Sequence, residues 1–73
     1  MTRDDFISAL YDSTAGLPGG SMGGGTRIAA TAFVDSMRNL NLSEIVLAIT
    51  TASAVAKGPY RDWLAMVAQI PVL

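Results

Sequence analysis

The chain has 73 residues, no cysteine, no histidine, five basic and six acidic side chains, and a net charge of −1. The length allows one domain, and the missing Cys and His exclude disulfides and nearly every structural zinc site. Hydrophobic residues make up 51% and charged residues 15%, against about 25% charged in an average globular protein, so part of the apolar surface is expected to meet another protein or a membrane.

The first predicted element is a helix over residues 3–15. Thr2 caps it, with Asp5 three residues on, and Asp4 and Asp5 lie at the positive end of the helix dipole. Phe6, Ile7, Leu10 and Tyr11 form its apolar stripe. Gly16 and Pro18 stop it. Residues 16–25 then read Gly-Leu-Pro-Gly-Gly-Ser-Met-Gly-Gly-Gly. Backbone entropy in such a run opposes any regular element, and the segment reads as a Gly-rich linker that tethers the first helix loosely.

A second helix is expected over residues 26–40, capped by Thr26, with Ile28, Ala32, Phe33, Met37 and Leu40 on one face and an Asp35–Arg38 pair on the other. The third, residues 43–57, has Ser43 as its cap. Ile45, Val46, Ile49, Ala52, Ser53 and Ala56 form one face, and Leu47, Ala48, Thr51 and Val55 the other. A helix apolar nearly all round reads as the central, buried one. Gly58 ends it in a left-handed conformation, and Pro59 opens a fourth helix ending before Pro71. Nothing alternates with period two between hairpin signals. The fold class is therefore all-α: a small three-helix core in residues 26–73, plus the N-terminal helix, residues 1–15, on its Gly-rich linker.

Motifs for chemistry are weak. Without Cys or His the common nucleophile–base pairs cannot be built. The carboxylates Asp4, Asp5, Asp12, Asp35, Glu44 and Asp62 sit near helix starts or beside an Arg and read as caps and solubilising groups. The glycine tract lacks the Lys of a phosphate loop and follows a helix rather than a strand. Asp35-Ser36-Met37 resembles the Asp-Ser-Leu of acyl carrier proteins, in which the serine bears the phosphopantetheine arm. That family's serine opens a helix, whereas Ser36 falls within one, and the family is strongly acidic; the family is not assigned. A helix-turn-helix about Asn39–Asn41 would present Glu44, Ile45, Val46 and Leu47 to a groove that needs basic and polar groups. Arg3, Arg27, Arg38, Lys57 and Arg61 are scattered, so no nucleic-acid partner is expected. No enzyme activity, cofactor or metal is expected either.

Two stretches, Ile45 to Ala56 and Trp63 to Leu73, carry no charge. The first would be about 18 Å long as a helix, short of the roughly 30 Å of a bilayer core. The N-terminus carries acids where a signal peptide has only bases. The expectation is an intracellular or particle-associated chain. Small scaffolds without disulfides or metals are commonly stabilised by oligomerisation, and contact centres are rich in Trp, Tyr, Met and Arg. The functional expectation is a non-enzymatic structural or adaptor subunit of a larger assembly, such as a virion or another multi-subunit particle. Its partner would be protein, a homo-oligomer or a larger complex. The expected interface residues are Tyr60, Trp63, Val67, Ile70, Val72 and Leu73, joined by Phe6 and Leu10 of the first helix; for Trp63 the reading as a plug for the chain's own core comes first and the interface second. The alternative is a membrane-peripheral or membrane-active helical protein, disfavoured by the few Lys and Arg residues.

Overall fold

The computed structural model describes residues 1–19 and 25–72. Among these, four helices and no strand are found: α1 (Arg3–Thr14), α2 (Gly25–Ser36), α3 (Leu42–Val55) and α4 (Gly58–Val67). The fold is all-α and packs to a Cα radius of gyration of 11.6 Å, close to the roughly 11 Å expected of a compact chain this long.

Helices α1, α3 and α4 start for local reasons. The Thr2 side chain accepts the Asp5 backbone N–H at 3.1 Å, and Asp4 and Asp5 occupy the first turn. Asn41, not Ser43, caps α3. Its side chain accepts from the Glu44 N–H at 2.9 Å, while the Glu44 carboxylate accepts from the Asn41 N–H at 3.0 Å. This capping box satisfies two orphan donors together. Thr26, the expected cap of the second helix, lies inside α2, which already includes Gly25. α3 ends at Val55 with Ala56 extended as its C-cap, so Gly58 does not end it as expected; Gly58, at φ +64, the conformation a side chain would resist, instead opens α4, and Pro59 follows in its first turn.

Two helices end earlier than their apolar patterns. After Ser36 the backbone tightens into three-residue turns, with Met37 N–H donating to Val34 O at 3.0 Å and Leu40 N–H to Met37 O at 3.0 Å. After Val67 the same happens through Gln69 to Met66 and Ile70 to Val67. Both segments keep their side chains in place without continuing as α-helix: Met37 is buried, and Leu40 and Ile70 pack on the core.

α1 is not the loosely held appendage its glycine tether suggested. It places Phe6, Ile7 and Leu10 in the same core as Ala30, Val34 and Met37 of the second helical segment, Ile45 and Ile49 of α3, and Trp63, Leu64 and Val67 of α4. α1 packs on α2 and α4, and α4 touches all three other helices, whereas α3 packs chiefly on α4. The glycine segment is also tied down at its edges. Leu17 N–H donates to Thr14 O at 3.1 Å and Arg27 N–H to Pro18 O at 3.0 Å. The Arg27 side chain crosses Gly19 so closely that a Cβ there would stand 2.9 Å from it, and its guanidinium donates to Ala15 O at 3.1 Å. The remainder of the expected linker, residues 20–24, lies outside the described residues.

The buried face of α2 is rotated from the expected one. Ala30, Val34 and Met37 are buried and Phe33 packs beside them, while Ile28 is 67% exposed. The expected Asp35–Arg38 pair does not form: Asp35 instead accepts the Tyr11 hydroxyl, and the ion pair among the described residues is Arg3–Asp4 at 2.8 Å.

Candidate protein-interaction surface

The aromatic groups expected at an interface build an internal joint instead. Trp63 is 1% exposed. Its ring meets Phe33 edge-on, with centroids 6.2 Å apart, and stacks on Tyr60 at 5.9 Å. The indole N–H donates to Ser13 Oγ at 2.8 Å, and that hydroxyl donates on to Leu10 O at 2.6 Å. One side chain of α4 thus locks α2 by ring contact and α1 by a hydrogen bond, satisfying the polar atom that burial would otherwise penalise.

The other expected interface residues fall into three groups. Phe6, Leu10 and Val67 are buried in the chain's own core. Tyr60, Ile70 and Val72 are partly buried and pack against that core. Ile70 and Val72 line a small cleft of about 60 Å³ with Phe6, Ile49 and Val67, and Val72 O accepts from the N-terminal ammonium of Met1 at 3.4 Å. The C-terminal segment therefore folds back on its own helices. Leu73 lies outside the described residues.

The exposed apolar surface is elsewhere, and chiefly on the helix expected to be most buried. α3 is the most apolar of the four helices, yet only Ile45 and Ile49 are buried. Leu47 is 66% exposed and Val55 79%. The reason is packing order: α3 rests chiefly on α4 along one side, and among the described residues no further helix covers the opposite side. Leu47, Ala48, Thr51 and Val55 recur at the i, i+1, i+4, i+8 spacing of one helical stripe. With Phe33 and Leu40 they line an open groove of about 560 Å³. Glu44 marks one end of the stripe, and Lys57, exposed, follows the other.

The polar grooves offer less. One, about 480 Å³, runs between Arg3, Asp4, Asp35 and Arg38, where charges of both signs alternate. Tyr11 stands beside it, its hydroxyl pKa held above the usual tyrosine value by the hydrogen bond to the Asp35 carboxylate, so it ionises less readily. Burial likewise raises the pKa of the Tyr60 hydroxyl. Ser36, the residue matching the carrier-protein serine, ends α2 rather than opening a helix, and its hydroxyl donates to Phe33 O at 2.6 Å. Among the described residues no cluster of acidic side chains is arranged to hold a metal ion, and no helix is long and apolar enough to cross a membrane.

The sequence contained a signal for the α3 surface. Two apolar stripes were legible on that helix, and a chain this small has the partners to cover one of them. No protein-family model matches the chain, and neither a curated protein nor a solved structure matches it significantly.

Proposed function

We propose that this chain is a non-enzymatic structural or adaptor subunit of a larger protein assembly, a virion or another multi-subunit particle being the kind that uses such small helical components. The outer face of α3 supports this reading. A 73-residue chain with few charges leaves Leu47 and Val55 mostly in water, beside a groove walled by Phe33 and Leu40. Contiguous apolar surface of this kind marks a contact site. The face carries Glu44 and lacks the Lys and Arg rim of a membrane-binding helix, so protein is the favoured partner over lipid.

The test is the native size of the chain in extracts of the cells that produce it, followed by antibody through gel filtration. The reading expects elution far above the 7.6 kDa of the free chain, moved toward that mass by the double change Leu47→Glu, Val55→Glu. Elution at the free-chain mass for both proteins would overturn it.

A further inference from the structure

We draw no further inference here: the strongest candidate, the groove of about 590 Å³ between the end of α1 and α4, lined by Leu17, Pro59, Trp63 and Met66 together with the exposed carboxylates of Asp12 and Asp62, carries nothing, because nothing in the structure shows what covers it.

Discussion

α1 and α3 invert the usual relation between apolar content and burial. α1 is the most polar of the four helices, yet Phe6, Ile7, Leu10 and Thr14 are all buried. α3 is the most apolar, and only Ile45 and Ile49 are buried. The difference lies in neighbours rather than composition: α1 sits against both α2 and α4, whereas α3 leans on α4. A narrow stripe aimed at two helices is covered completely, and a broad one aimed at a single helix is covered in part. Apolar residues in excess of a helix's own partners are surface, and on α3 they form a continuous groove wall.

The largest effect that tests this contrast comes from the covered side of α3. Ile49 is 1% exposed, and Ile49→Asp buries an unpaired carboxylate where packing is lost as well. The cost should be several kcal/mol, against about 4–11 kcal/mol for the whole stability of a chain this long. Loss of the cooperative thermal transition is the expected result. A variant that unfolds like the parent would mean that α3 is not held by this face.

Next comes α1. Phe6→Ala should cost about 3–5 kcal/mol in urea unfolding, because Phe6 lies between α1 and the residues that meet Ile49 and Val67. A helix merely tethered through glycines would tolerate the change with little loss. The value thus separates a four-helix core from a three-helix core with an attachment.

The starts of the two helices give a smaller effect. Asn41→Ala removes one half of the capping box and should cost about 1 kcal/mol; Thr2→Ala should cost a similar amount. Ser43→Ala should change stability by less, since the Ser43 hydroxyl donates to Asn41 Oδ1 but caps no backbone N–H. Chemical denaturation of the three variants ranks them directly.

The helical class, the stripe Phe6–Ile7–Leu10 and the Thr2 cap were all legible because each depends on residues close in sequence; the left-handed conformation of Gly58 was legible too, but not its place, since it opens α4 rather than ending α3. The choice of Asn41 over Ser43 was legible too: only Asn41 has a Glu three residues on, and Ser43 has Val46 there. The joining of α1 to the core was not, because it depends on contacts of long range. Trp63 reaches Ser13 across 50 positions, and Arg3 Nε donates to Leu40 O across 37. The site shows the same division. Both stripes of α3 could be read from spacing, but which one would be left uncovered depends on where α4 lies.

The smallest effect on stability belongs to the outer side of α3. Leu47→Gln and Val55→Thr keep roughly the size of each side chain and remove apolar area that the single chain already leaves in water. Exposed positions away from caps and packed contacts change stability by no more than about 0.5 kcal/mol. At dilute concentration, where copies are separate, the urea midpoints of the double variant and the parent should coincide. A parent midpoint that rises with concentration, while that of the variant stays fixed, would show that copies of the chain meet through this face. A midpoint shifted at every concentration would show that Leu47 or Val55 stabilises the single chain, which would make the outer side of α3 part of the core. Coincidence at every concentration would leave the face exposed and show that a second copy does not cover it.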